Sequence, residues 1–400
     1  MIFSGYNQGM NSTEDIIKRS IYTELRDHLG AREITLIVGP RQAGKTTLMR
    51  ALERDCELSG LPSVFFSLDN TEDFRYFSSQ RSLVDKLNLE LGQKRSVVFI
   101  DEIQRREDAG VFLKGIYDMD LPYKFVISGS GSIELKEKVH ESLAGRKLMF
   151  EVFPLSFYEF INHRTSYKYE GRMDKYATVE SSSIERLLEE YMRFGGYPRV
   201  VLESTLSGKI RMIEEIFRSY IDKDISALLR VEKIDAFRQL IETLASQSGK
   251  IVTFSELSTT LSLSLPTVHN YLWFLEHTFI LQRITPFFRN KRKEITKSPT
   301  VYFTDLGMRN FALGRFGTPL VRDDAGFLFQ NMICHVIAAN IRHTGARMHF
   351  WRTKDKAEVD FVVTRGEIVT PIEVKYTVAD TGTIGRSLHA FIDRYSPAKA

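Results

Sequence analysis

The chain has 400 residues, 43% of them apolar and 26% charged, with 55 basic against 51 acidic side chains and a net charge of +4. This is the composition of ordinary folded domains, about two to four at this length, and it excludes a chain that is basic or acidic throughout, so any nucleic-acid surface must be local. Cys56 and Cys334 lie far apart, no Cys or His cluster has metal-ligand spacing, no run of about 18 apolar residues occurs, and Met1–Asn11 lacks a secretory pattern; a soluble cytoplasmic protein with no membrane partner is expected.

In chain order, residues 13–29 place Ile16, Ile17, Ile21, Leu25 and Leu29 at helical spacing, which predicts a helix packed beside the first strand. Ile34–Val38 is a short apolar, β-branched run that suits a buried parallel strand. Gly39-Pro40-Arg41-Gln42-Ala43-Gly44-Lys45-Thr46 follows and fits G-x-x-x-x-G-K-[ST], with helix formers from Thr47 to Leu52. Strand, loop and helix form the context that this phosphate-binding motif requires. Small residues at Gly39 and Gly44 let backbone N–H groups close around phosphate oxygens at the positive end of the helix. Lys45 is the candidate for the β and γ phosphates, and the Thr46 hydroxyl for Mg2+. The whole segment from Gly39 to Thr47 is the candidate ATP-binding segment; the bland reading is a Gly-rich turn with a solvated lysine.

Ser63–Asp69 and Ser96–Ile100 read as the second and third strands, with helical patterns between them, and such alternation implies a parallel sheet. Acidic residues ending the third strand face the same crevice as the phosphate loop. Asp101 is the candidate to hold Mg2+ through its water shell, and Glu102 to polarise the attacking water; a solvated strand end is the alternative. Lys124–Ser130 reads as a fourth strand, whose Ser130 is a candidate sensor of the γ-phosphate. Arg146, just before the fifth strand Lys147–Phe153, is a candidate arginine finger acting on a neighbouring subunit of a homo-oligomer, and equally a plain surface arginine.

From Pro154 to Lys233 the pattern is helical, with the polar stretch Asn162–Ser183 expected as a loop. Gly195-Gly196-Tyr197-Pro198-Arg199 interrupts the helices, and Arg199 either reaches a bound nucleotide from a lid or sits in a turn. Residues 236–287 have the pattern of a winged helix-turn-helix, with helices at Phe254–Leu261 and Leu265–Leu275 and a wing starting at Ile280. Arg283, Arg289, Lys291, Arg292, Lys293 and Lys297 face only Glu294, with Phe287 and Phe288 among them. That strip suits a DNA backbone, or a solvated face. Further on, Asp360 leads into the strand Phe361–Val363, and Pro371–Lys375 reads as a strand with Glu373 and Lys375 on one face. Two carboxylates sharing a divalent cation beside a lysine can support phosphodiester hydrolysis; an ordinary charged sheet edge is the other reading.

Gly39–Thr47, Asp101-Glu102, Gly129-Ser130, Gly145-Arg146 with Pro154-Leu155-Ser156, Gly195-Gly196-Tyr197-Pro198, Tyr302-Phe303-Thr304-Asp305-Leu306-Gly307 and Trp351-Arg352 stand beside those two acidic strands. Together they resemble a large prokaryotic family of AAA-type ATPases with a C-terminal domain of unknown function, over nearly the whole chain. The resemblance implies an α/β fold with a P-loop NTPase parallel sheet over residues 1–155, a helical lid over 156–235, a winged helix-turn-helix over 236–290 and a PD-(D/E)XK nuclease-like α/β domain over 298–400. It implies Mg2+-dependent ATP hydrolysis, with Glu102 as the added catalytic glutamate and Asp360, Glu373 and Lys375 as a nuclease-like triad. Gln330, in Phe329-Gln330-Asn331, stands where members carry Glu, and the chain ends at Tyr395–Ala400 where such folds continue into another strand. The expectation is ATP hydrolysis coupled to DNA binding rather than cutting. The alternatives are an ATP-dependent switch acting on a partner protein and an ATP-dependent nuclease.

Overall fold

The computed structural model describes residues 16–130, 142–221, 234–288, 298–377 and 384–397. Two five-stranded sheets organise it, the first built from β1 (Ile34–Gly39), β2 (Ser63–Ser67), β3 (Ser96–Asp101), β4 (Tyr123–Ser130) and β5 (Lys147–Glu151) in the order β2-β3-β4-β1-β5. All four pairings are parallel. β1 and β3 are buried along their whole length, as apolar runs covered on both faces must be. Register sets Gly39 opposite Ser130 and Ser67 opposite Asp101, so the carboxyl ends of β1, β3 and β4 converge on one edge.

Ahead of β1, the predicted helix over residues 13–29 is only partly present. Helix α1 spans Tyr22–Asp27, a 3-10 turn follows at His28–Gly30, and Ile16–Arg19 is not helical. The apolar residues serve two cores: Ile17 packs with Leu155 and Phe160, whereas Ile21 and Leu25 pack with Ile37 and Met49. No continuous helix presents one face to both. Helices α2 (Lys45–Leu58), α3 (Thr71–Phe74), α4 (Gln80–Leu91) and α5 (Ala109–Asp118) connect the strands.

The helical region after β5 comprises α6 (Phe157–Arg164), α7 (Met173–Val179), α8 (Ser181–Phe194), α9 (Pro198–Leu202) and α10 (Leu206–Ser219). Ser156 and Glu159 form a reciprocal capping box on α6. The expected loop over Asn162–Ser183 is instead turns and helix: Tyr169 stacks on Tyr176 with ring centroids 4.0 Å apart, Tyr176 is buried, and the serines form the first turn of α8. Short polar side chains at a helix start satisfy local backbone groups, so serine there is no signal of disorder.

Next come α11 (Ile234–Ser246), α12 (Phe254–Thr260) and α13 (Leu265–His277), the last capped by Ser264 with Pro266 in its first turn. β6 (Leu281–Pro286) then pairs antiparallel with β7 (Thr300–Phe303). β6 also runs parallel to β8 (Arg347–Arg352), which pairs with β9 (Glu358–Arg365), and β9 with β10 (Ile368–Ile372), giving the order β10-β9-β8-β6-β7. The segments 236–290 and 298–400 therefore share one sheet. Helices α14 (Leu306–Ala312), α15 (Arg322–Ile341) and α16 (Arg386–Tyr395) complete the C-terminal half. The strand expected over Pro371–Lys375 ends at Ile372, so Glu373 and Lys375 lie beyond it. Among the described residues no helix is long and apolar enough to cross a membrane.

Candidate nucleotide site

Gly39 ends β1 against the chain leaving β5, where an added Cβ would lie 2.0 Å from the Val152 carbonyl oxygen. Only glycine fits so close an approach. Pro40 and Arg41 lead to Gln42 at φ 59°, Ala43 is buried, and Gly44 turns the chain at φ 96° to cap α2. Lys45 opens that helix, buried, and its Nζ donates to the carbonyls of Gly39 (3.0 Å) and Pro40 (2.9 Å). A buried ammonium requires such partners, and phosphate oxygens are better ones.

Thr46 Oγ1 donates to Asp101 Oδ2 at 2.8 Å, and Ser128 Oγ donates to Asp101 Oδ1. Ser128 Oγ in turn accepts the Glu102 backbone N–H at 3.3 Å. Glu102 itself sits in the left-handed region at φ 59°, and Gln104 Nε2 donates to its carboxylate. Burial raises the Glu102 pKa above the ordinary carboxylate range; Lys45 opposes this and Asp101 adds to it. Thr47 is exposed on the first turn of α2, and Ser130 ends β4 beside Gly39. A hydroxyl next to a buried carboxylate is a hard-oxygen donor set that suits Mg2+, with phosphates and water supplying its other ligands.

Comparisons with known proteins match three stretches of the chain. Residues 31–161 match the family model of an AAA domain, residues 185–318 a domain of unknown function (DUF8612), and residues 325–400 a second domain of unknown function (DUF4143). This chain carries an AAA-type P-loop domain. An uncharacterized protein of Mycobacterium tuberculosis is 26% identical over 378 residues, covering 94% of this chain and 77% of its own length. An uncharacterized protein of Methanocaldococcus jannaschii is 24% identical over 388 residues, covering 91% and 79%. The structure of the replication initiator DnaA bound to AMPPCP and single-stranded DNA covers 66% of this chain and 90% of its own at 16% identity, with a TM-score of 0.31, too loose a likeness to bear on function.

Two more nominated residues are placed relative to the AAA site. Arg199, on α9, donates Nη1 to Gln42 Oε1 and to Glu215 Oε1, both at 3.0 Å. Arg146 lies at the opposite edge of the sheet, where its carbonyl accepts the Ile34 N–H at 2.9 Å and its guanidinium pairs with Asp118 at 2.8 Å. It does not reach the loop of its own chain. Two residues not singled out by spacing turn out to meet the acidic pair: Ser128 contacts both Asp101 and Glu102, and Gln104 contacts Glu102. Alternation along β4 puts Ser128 on the same face as Ser130, which is the one signal that could have found it.

The C-terminal carboxylates form a different kind of site. Gln330 Nε2 donates to Asp360 Oδ1 at 2.6 Å, and the Val374 N–H to Asp360 Oδ2 at 2.7 Å. Glu373 pairs with Lys375 at 2.6 Å. Burial, above all, raises the Asp360 pKa to about 6. An amide N–H occupies the position where a metal would need a lone pair, and among the described residues no three His, Cys, Asp or Glu side chains gather as metal ligands. Both Asp360 oxygens thus accept N–H groups here, and a divalent cation shared by Asp360 and Glu373 would require the Gln330 amide to turn its carbonyl oxygen toward it. Of the basic strip, Arg283 pairs with Glu276 at 2.5 Å, and Arg289 to Lys297 lie outside the described residues.

Proposed function

We propose that the chain binds ATP with Mg2+ on the segment Gly39–Thr47 and hydrolyses it. The observation that carries this reading is the hydrogen-bonded chain Thr46–Asp101–Ser128–Glu102 at the mouth of the phosphate loop. Lys45 exchanges the Gly39 and Pro40 carbonyls for phosphate oxygens, retaining its hydrogen bonds while gaining opposite charge. Bound Mg2+ supplies neutralisation of charge developing on the phosphates. Glu102 accepts the proton of water as its oxygen bonds to the γ-phosphorus and the bond to the β-phosphate oxygen breaks. Its raised pKa makes it a better base than a solvated glutamate. Ser130 is assigned to sensing the γ-phosphate, Arg199 to reaching it from the lid, and Arg146 to a neighbouring subunit's site.

For purpose, hydrolysis coupled to DNA binding by the C-terminal half is the first reading, with residues 1–155 as motor, 156–235 as lid, 236–290 as winged helix and 298–400 as a nuclease-like domain that binds without cutting. A switch acting on a partner protein is the second. It is favoured by α13, whose exposed residues Leu265, Pro266, His269 and Asn270 include no lysine or arginine. Phosphate release measured with and without duplex DNA over a salt series separates them. Stimulation that fades with salt supports the first, and a rate indifferent to DNA supports the second. Absence of any ATP turnover sinks the hydrolase reading itself.

A further inference from the structure

Ahead of α1, one side chain from a segment with no assigned role reaches the back of the phosphate loop. Arg19 Nη1 donates to the Ala43 carbonyl at 2.9 Å, Nη2 donates to the Phe153 carbonyl at 2.5 Å, and Nε lies 3.3 Å from Glu159 Oε2. Both side chains of this ion pair are only 8% exposed. Glu159 also accepts the Ser20 N–H at 2.7 Å and the Ser156 N–H at 2.9 Å. One guanidinium thus joins the phosphate loop, the exit of β5 and the first turn of the lid helix α6. A Cβ at Gly44 would come 3.6 Å from Arg19 Nη1 and 3.9 Å from Pro198 Cγ, so the guanidinium and the residue before Arg199 both lie against the loop at Gly44.

We propose that Arg19 is a positioning residue for the nucleotide, holding the phosphate loop in its anion-binding shape and tying that shape to the lid. This rests on the ATP-binding reading above. The Ala43 carbonyl and the Gly44 N–H belong to one peptide group, and Gly44 is the cap of α2, where backbone N–H groups are available to phosphate. A cationic donor on the carbonyl polarises that peptide and strengthens its N–H as a donor, as hydrogen bonds in series do. The planar fork matters because Nη1 and Nη2 donate to carbonyls on two different segments while the delocalised charge stays paired with Glu159, whose carboxylate lies 3.3 Å from Nε without a hydrogen bond, and a lysine ammonium in the same place reaches fewer of these groups. The polarising bond favours the phosphate-bound state over the empty one, so it acts on nucleotide affinity beyond any part in folding.

The test compares Arg19→Lys and Arg19→Gln with the wild-type full chain by equilibrium binding of a fluorescent ATP analogue with Mg2+, thermal melting and steady-state turnover. Thr205→Ala serves as the control, because it removes the cap of lid helix α10 without touching Arg19. Both Arg19 variants are expected to bind the analogue about tenfold or more weakly, the loss of a charge-assisted hydrogen bond. KM rises by a similar factor while kcat holds within about threefold, and Thr205→Ala lowers the melting temperature with affinity unchanged. If Arg19→Gln fails to fold, Arg19→Lys alone carries the comparison. Affinities within about twofold of wild type, or a loss in Thr205→Ala in proportion to its lower melting temperature, would overturn the inference while leaving the ATP reading intact. No binding by the wild-type protein would overturn both.

Discussion

Arg199 of the lid and Gln42 of the phosphate loop are hydrogen-bonded, Nη1 to Oε1, at 3.0 Å across 157 residues of sequence. Gln42 holds a left-handed backbone conformation, and Arg199 shares the same nitrogen with Glu215. Both bonds are exposed and weak enough to be exchanged for a phosphate. Arg199→Ala is therefore expected to weaken ATP affinity about tenfold and ADP affinity less. Titration of each nucleotide measures it; an equal loss for both means that Arg199 acts only through the loop.

Lys45 and Glu102 are expected to separate binding from chemistry. Lys45→Ala abolishes nucleotide binding, because it removes a buried cation aimed at the loop. Glu102→Gln keeps binding and lowers kcat by about 10² to 10⁴-fold, the usual span for a general base. As the base must be ionised and burial raises its pKa, the acid limb of kcat lies above the ordinary 4.5 of a glutamate and disappears in Glu102→Gln. Equal loss of binding in both variants contradicts these roles.

Arg146 is paired with Asp118 at the sheet edge far from its own loop. Serving a neighbour requires that pair to open, so Asp118→Ala is expected to keep or raise activity and Arg146→Ala to lower kcat by roughly 10³-fold. Mixing Arg146→Ala with Glu102→Gln protein at associating concentrations restores part of the rate if the arginine acts in trans. Failure to recover any rate eliminates that assignment.

Asp305 is buried and caps α14, accepting N–H groups from Gly196 (2.7 Å) and Met308 (2.8 Å). Burial raises its pKa from 3.8 to about 6 despite these donors. A carboxyl whose folded pKa lies above its unfolded value contributes stability below about pH 4 that is lost as pH rises through 6. Wild type minus Asp305→Asn stability should therefore fall across that window, by about 3 kcal/mol. Denaturant unfolding at pH 4, 5, 6 and 7 measures it, and a flat or rising difference rejects the shift.

The N-terminal half is largely legible from sequence because its signals are local. Strand, glycine-rich turn and helix follow one another within residues 34–58, and the acidic pair sits at the end of its own strand, so adjacency in sequence predicts adjacency in the crevice. That Gln330 is a neutral amide where a carboxylate is expected was legible too, but that its Nε2 donates to Asp360 was not. What tertiary structure alone decided are the long-range choices. Ile17 and Ile21 go to different cores, which breaks a helix that their spacing predicts. Ser128 meets Asp101, and β6 continues from its pairing with β7 into the C-terminal sheet. Arg19 finds Ala43, Phe153 and Glu159, 24, 134 and 140 positions away. Periodicity records that a side chain is buried or exposed, but which neighbours it meets is set by how sheets and helices pack, and that information is spread over the whole chain.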